Sequence, residues 1–163
     1  MPLSIHLLIH LSVALLVGYF AGRYFKNILL TLIAALLGGF FIDLDHVLEY
    51  FLYYGLHFNL AYFLEGREFL LSDKIHLFFH AWEYIPILFL IAYLLKKRKS
   101  LAIFIFTLCL AGSFHLISDV FINHYPFKFY SLSYRISQNF STPKLLSPED
   151  YQKSLELKQK IAI

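Results

Sequence analysis

The sequence predicts an all-α integral membrane protein: a four-helix bundle with an interfacial aromatic helix between spans 2 and 3 and a short C-terminal helix. Three observations carry that expectation. Of 163 residues, 59% are hydrophobic and 15% charged, with a mean hydropathy of +0.63, too apolar for an ordinary soluble domain. The apolar residues fall in blocks of about twenty, the length that crosses a bilayer as a helix. The polar residues inside those blocks are mostly histidines and carboxylates three or four positions apart, which places each pair on one helical face. Residues 1–125 form the expected four-span domain, and 126–163 a polar, aromatic C-terminal tail.

The first block runs from about Leu3 to Ala21 with no charged n-region or clear cleavage site, so it reads as an uncleaved helix. His6 and His10 share a face near its start. Gly18 and Gly22 form a GxxxG spacing that lets a neighbouring helix approach closely. After the basic turn at Arg23 and Lys26, the second block runs from about Ile28 to Leu48. It carries Ala34/Gly38 and Ala35/Gly39, then Asp43, Asp45, His46 and Glu49. Asp43 and His46 are three apart, and Asp45 and Glu49 four apart. Ionisable groups in such a segment mark a site more often than a surface.

From Glu49 to Asp73, aromatic residues interleave with His57, Asn59 and Glu65, a pattern suited to a helix lying in the membrane interface. Glu65-Gly66-Arg67-Glu68 breaks it, and Ser72 or Asp73 is placed to cap the next helix. The third block, about Lys74 to Leu95, holds His76, His80 and Glu83 at spacings of four and three, with a kink expected at Pro86. The fourth, about Leu101 to Ile122, holds His115 and Asp119. Ser147-Pro148-Glu149-Asp150 reads as a cap, a proline at the first helical position and an acidic first turn. Cys109, the one cysteine, lies in an apolar run as a small buried hydrophobe.

The net charge of +3 is not a nucleic-acid footprint, because its densest cluster, Lys96–Lys99, sits between two spanning blocks. Basic residues there set topology. With four spans, both basic turns lie in the cytoplasm and both termini outside. Every helix then brings its polar pair to the non-cytoplasmic level: His6 and His10, Asp43 and His46, His76 and His80, His115 and Asp119. Together these eight residues are the expected metal ligands. Histidine with carboxylate suits zinc and similar divalent ions, so one or two ions are expected, Zn2+ first and Mn2+ or another second. Asp45 and Glu49 are second-shell or base candidates. His57 and His124 have no carboxylate on their own face and stay outside the set.

These stretches resemble the membrane-bound metal-dependent hydrolases typified by small inner-membrane hydrolases of bacteria. The resemblance rests on Ile5-His6, Ile42-Asp43-Leu44-Asp45-His46, His76-Leu77-Phe78-Phe79-His80 and Ser113-Phe114-His115-Leu116-Ile117-Ser118-Asp119. It covers roughly residues 5 to 125. Ile42 stands where that family has proline, and Leu77-Phe78 where it has Arg-Gly, which removes a cation that could hold an anionic substrate. Lys74 and Arg135 are the candidates to replace it. The resemblance implies a metal-activated water attacking an ester or phosphoester of a membrane-associated, lipid-like substrate, with Asp45 or Glu83 as general base. The bilayer itself is the other expected partner. A metal transporter or sensor and a haem-binding electron carrier are the alternatives, since the same side chains serve an ion in transit or a haem iron.

Overall fold

The computed structural model describes residues 3–161, and among them every element is helical apart from an isolated bridge between Lys74 and Ser141. In chain order the α-helices are α1 (Leu3–Phe25), α2 (Ile28–Gly39), α3 (Leu44–Tyr54), α4 (Leu60–Leu64), α5 (Arg67–Ser72), α6 (Tyr84–Leu94), α7 (Lys99–Asn123), α8 (Leu132–Ser137), α9 (Thr142–Leu145) and α10 (Pro148–Ile161). Short 3-10 turns occupy Phe41–Asp43 and Phe127–Tyr130. The chain divides into two compact units, 3–43 with 81–125 and 44–80 with 126–161.

In the first unit α1, α2 and α7 pack on one another, and the shorter α6 packs on α7. Small residues set these approaches. A Cβ at Gly22 would sit 2.6 Å from Thr31 Oγ1 and 2.7 Å from Ile28 Cα, and one at Gly38 would run into the backbone carbonyl of Leu108. Only glycine lets α1 reach α2, and α2 reach α7, at these points. Thr31 adds a buried hydrogen bond from its hydroxyl to the Gly18 carbonyl, 2.8 Å. Asn27 caps α2, accepting from Leu30 N at 3.3 Å. The outward faces stay apolar, with Leu16, Phe20, Leu29, Leu90 and Phe121 all more than half exposed.

Three helical runs among the described residues are long and apolar enough to cross a membrane: Ile5–Phe25, Ile28–Tyr54 and Lys99–Asn123. The middle one is interrupted by the 3-10 turn at Phe41–Asp43. The expected third span is not a long helix. Of the block from Lys74 to Leu95, only the eleven residues of α6 are helical. At 1.5 Å per residue these cover about 16 Å, roughly half the hydrocarbon thickness.

The second unit explains why that block does not form a helix throughout. Ser72 and Asp73 do not cap a following helix. Asp73 ends α5 in the left-handed conformation (φ 51°), and Ser72 Oγ donates to the Lys74 carbonyl at 3.0 Å. Residues 76–80 then find their backbone partners on distant side chains. Glu49 of α3 accepts from the amides of His76 and Leu77 at 3.1 and 3.2 Å, and Asp45 accepts from Phe79 N at 2.7 Å. Arg135 of α8, fully buried, donates to the carbonyls of Leu77 (2.7 Å), His80 (2.9 Å) and Phe129 (2.9 Å). With donors and acceptors satisfied this way, the segment gains nothing from the i→i−4 ladder.

The expected interfacial helix is likewise divided. It becomes α3, α4 and α5, separated at Gly55–Asn59 and at Glu65–Gly66, where Gly66 takes a positive φ of 62°. Tyr50 lies buried at the centre of Tyr54, Phe58 and Phe63, and its hydroxyl accepts from Asn59 N at 2.9 Å. The C-terminal helix follows its cap as expected: Ser147 Oγ accepts from Asp150 N at 3.1 Å. Residues after 126 are packed rather than trailing. Ile75 N donates to Phe140 O at 2.9 Å, and Lys158 Nζ pairs with Asp73 at 2.9 Å.

One buried carboxyl in this unit has a measurable consequence. Glu68 of α5 is 1% exposed, and its Oε2 has no hydrogen-bond partner among the described residues. Burial, with a smaller push from the Glu49 charge, raises its pKa from 4.5 to about 7. The folded protein therefore holds this proton more tightly than the unfolded chain does. Its stabilising contribution is full below pH 4.5 and is lost as pH rises through about 7. Glu68→Gln should raise the melting temperature at pH 8 and leave it nearly unchanged at pH 4.5. Equal shifts at both pH values would show that Glu68 titrates alike in the folded and unfolded chain.

Candidate metal centre

In the first unit three helix ends converge. The first turns of α1 carry His6 and His10, the 3-10 turn closing α2 carries Asp43, and the last turns of α7 carry His115 and Asp119. The i,i+4 spacing on α1 directs both imidazoles to one side, with Nε2 atoms 2.9 Å apart. Asp119 Oδ1 lies 3.1 Å from His10 Nε2 and 3.5 Å from His6 Nε2. His115 Nε2 lies between the two carboxylates, 3.5 Å from Asp43 Oδ1 and 3.3 Å from Asp119 Oδ2. The rings of His10 and His115 stack at 3.9 Å.

These atoms form two overlapping groups, His6/His10/Asp43 and His10/His115/Asp119, each within 4.8 Å. Either could hold a metal ion. The spacing fits the demand: four donors about 2.0–2.1 Å from a tetrahedral ion lie about 3.3–3.4 Å from one another. The donor chemistry fits as well. His115 Nδ1 lies 3.2 Å from the Gly39 carbonyl, a pairing that needs the hydrogen on Nδ1. The lone pair of Nε2 then faces two carboxylates, an arrangement that calls for positive charge between them. Such a hydrogen bond to a backbone carbonyl is the usual way of orienting a ligating imidazole. His10 Nδ1 is buried with no hydrogen-bond partner among the described residues, so Nε2 is the nitrogen that this ring offers to the centre.

Exposure differs across the centre. The side chains of His10, His115 and Asp119 are 0–3% exposed, whereas Asp43 is 11% and His6 16% exposed. His6 is the most open of the five, while both carboxylate oxygens of Asp43 are covered.

The remaining expected ligands lie in the second unit, on different elements. His46 is on α3, and its ring centroid is 5.3 Å from that of His80. His76 and His80 are not on one helical turn, because residues 73–83 lie outside any helix. Each instead has its Nδ1 against a carboxylate of α3: His76 on Glu49 at 2.8 Å and His80 on Asp45 at 3.2 Å. In both rings Nδ1 meets the carboxylate and Nε2 is turned away from it. With its Oδ2 shared between Phe79 N and His80 Nδ1, Asp45 is a positioning group for this segment. Glu83 precedes α6, half-buried, and is not among the donors of the two groups above. Arg135 is sealed inside the second unit, so it is not a substitute cation for an anionic substrate. Lys74 is exposed.

Three roles were not read from the sequence: the Gly39 carbonyl orienting His115, Arg135 holding the segment 77–80, and the buried carboxyl of Glu68. A backbone carbonyl has no sequence signal. Arg135 had one, a charge among aromatics, but nothing indicated its partners. Comparison with family models, curated proteins and solved structures matched none of them.

Proposed function

We propose that this protein is a membrane-embedded metal-dependent hydrolase acting on an ester or phosphoester of a membrane-associated substrate. The observation that carries the reading is the convergence of His6, His10, His115, Asp43 and Asp119 from three helix ends into two overlapping groups that share His10. A bound divalent ion, Zn2+ by preference for this nitrogen and oxygen set, would supply Lewis acidity and a water acidified to near neutral pH. His10, His115 and Asp119 hold the closed side of the site. His115, held through Nδ1 by the Gly39 carbonyl, turns its Nε2 toward the site. Asp43, at the end of α2, would complete the ligand set across His115 from Asp119. A haem is disfavoured by the same geometry, since histidine rings stacked at 3.9 Å leave no room for a porphyrin between them.

The decisive experiment pairs elemental analysis with ester and phosphoester turnover on detergent-purified protein. His10→Ala should lose both the metal and turnover, and His57→Ala, a histidine outside the cluster, should keep both. Equal metal content in the two variants would exclude this ligand set. Turnover that survives complete metal removal would exclude the mechanism.

The two basic turns, Arg23/Lys26 and Lys96–Lys99, support a cytoplasmic location for the ends of the helices opposite the cluster, which itself would lie on the non-cytoplasmic side. Cysteines introduced one at a time at the two ends of α7, in a Cys109→Ala background, test this in intact cells. Asn123→Cys should label with an impermeant thiol reagent, and Ser100→Cys only after permeabilisation; the reverse pattern inverts the topology.

A further inference from the structure

Beside the cluster, α1 and α7 leave an open groove of about 700 Å3. Its walls are ridges at four-residue spacing, Val13, Val17 and Ala21 on α1 and Phe106, Leu110 and Phe114 on α7. The volume lies within the roughly 300–1,000 Å3 of small-molecule sites, but almost no polar atom lines it. Two features distinguish it from an ordinary lipid-facing seam. It starts at the metal-site level on both helices, since Val13 is one turn from His10 and Phe114 adjoins His115. It also has an end, where Phe25 and Phe106 meet edge to face with ring centroids 5.9 Å apart. From Val13 to Phe25 is about 18 Å along the helix, the reach of one long acyl chain.

We infer that this groove binds a single acyl chain of the substrate, with its carbonyl or phosphoester end at the Val13–Phe114 mouth, one turn from His10, and its methyl end at the Phe25–Phe106 pair. The substrate class is thereby an acyl-bearing membrane amphiphile. This rests on the hydrolase reading for its catalytic meaning, and on the groove alone for binding. The chain enters from the bilayer without crossing water, so affinity comes from apolar burial and position from the blocked end.

Photo-crosslinking with two phosphatidylcholine probes tests the assignment on the full-length protein in vesicles. A diazirine at the acyl terminus should label Tyr24, Phe25 or Phe106, and one beside the carbonyl should label Val13 or Phe114. Labelling should saturate with excess unlabelled lipid. Val17→Trp, which fills the groove, should reduce it at least about tenfold while metal content stays at the parent level. Labelling that does not depend on diazirine position, or that Val17→Trp leaves unchanged, would mean bulk bilayer lipid and overturn the inference. Crosslinks between two copies through these residues would overturn it in favour of a dimer seam. Ordered labelling by a metal-loaded protein that turns over no ester keeps the acyl site and removes the hydrolase reading. Turnover of soluble short-chain esters with unordered labelling does the opposite.

Discussion

Exhaustive chelation should lower the melting temperature of the parent protein by about 10 °C, the shift expected when an ion present far above its dissociation constant is withdrawn from a chain of this size. The reason is electrostatic. Asp43 and Asp119 arrive from different helices and flank one imidazole nitrogen, at 3.5 and 3.3 Å from His115 Nε2, in a nearly water-free setting. Two anions so close, in apolar surroundings and without a cation, repel each other. A divalent ion removes the conflict and ties the end of α2 to the end of α7. The double variant Asp43→Asn/Asp119→Asn should bind little metal, yet lose much less stability on chelation, because neutral amides can share hydrogens with the histidines. His115→Ala should reduce bound metal by more than the ten- to hundredfold typical of removing an outer-shell partner. A parent whose melting temperature is unchanged after chelation, with the metal shown to be gone, would falsify the cluster as a binding site.

Arg135→Met should destabilise the second unit by several kcal/mol, on the order of 3–5 kcal/mol, because three carbonyls lose a charged donor in a buried setting. Methionine fills only the aliphatic part of the site, so the loss combines three hydrogen bonds with the space vacated by the guanidinium. Hydrogen exchange localises the effect. Amides of His76, Leu77 and Phe79 should lose protection in Arg135→Met, while those in the middle of α1, α2 and α7 keep theirs. Arg135→Lys should restore only part of it, since an ammonium on a flexible stem does not reproduce a planar fork reaching separate carbonyls. Full protection of residues 76–80 in the methionine variant would show that Glu49 and Asp45 hold the segment unaided.

The five residues of the first-unit cluster were legible because each of their signals is local. His6/His10 and His115/Asp119 are pairs at one helical turn inside uninterrupted apolar blocks, so periodicity alone gives them a common direction. Asp43 was legible as a charge closing such a block, although the structure places it in a 3-10 turn and not on a helix shared with His46. His76 and His80 have the same spacing in sequence and a different fate. Nothing between Lys74 and Tyr84 breaks a helix: there is no glycine or proline, and the residues are largely apolar. The irregular path is imposed from far away, by Glu49 and Asp45 on its amides and by Arg135 on its carbonyls. Spacing therefore misassigned the helix while still selecting the two histidines that the acidic residues of α3 orient.

By itself the sequence determined what depends on neighbours a few residues away. It set the helical character of the apolar blocks, the close-packing glycines of α1 and α2, the Ser147 cap of α10 and the type of side chain offered at each helix end. Tertiary structure decided what depends on contacts across dozens of residues. It chose which block would be broken, it made Arg135 a structural cation instead of a substrate contact, and it brought α1, α2 and α7 together so that five polar side chains form two adjoining groups around His10. The physical reason is the same in each case. A helix is closed by bonds four residues apart, and a carboxylate or guanidinium can compete for those bonds only after the fold has delivered it there.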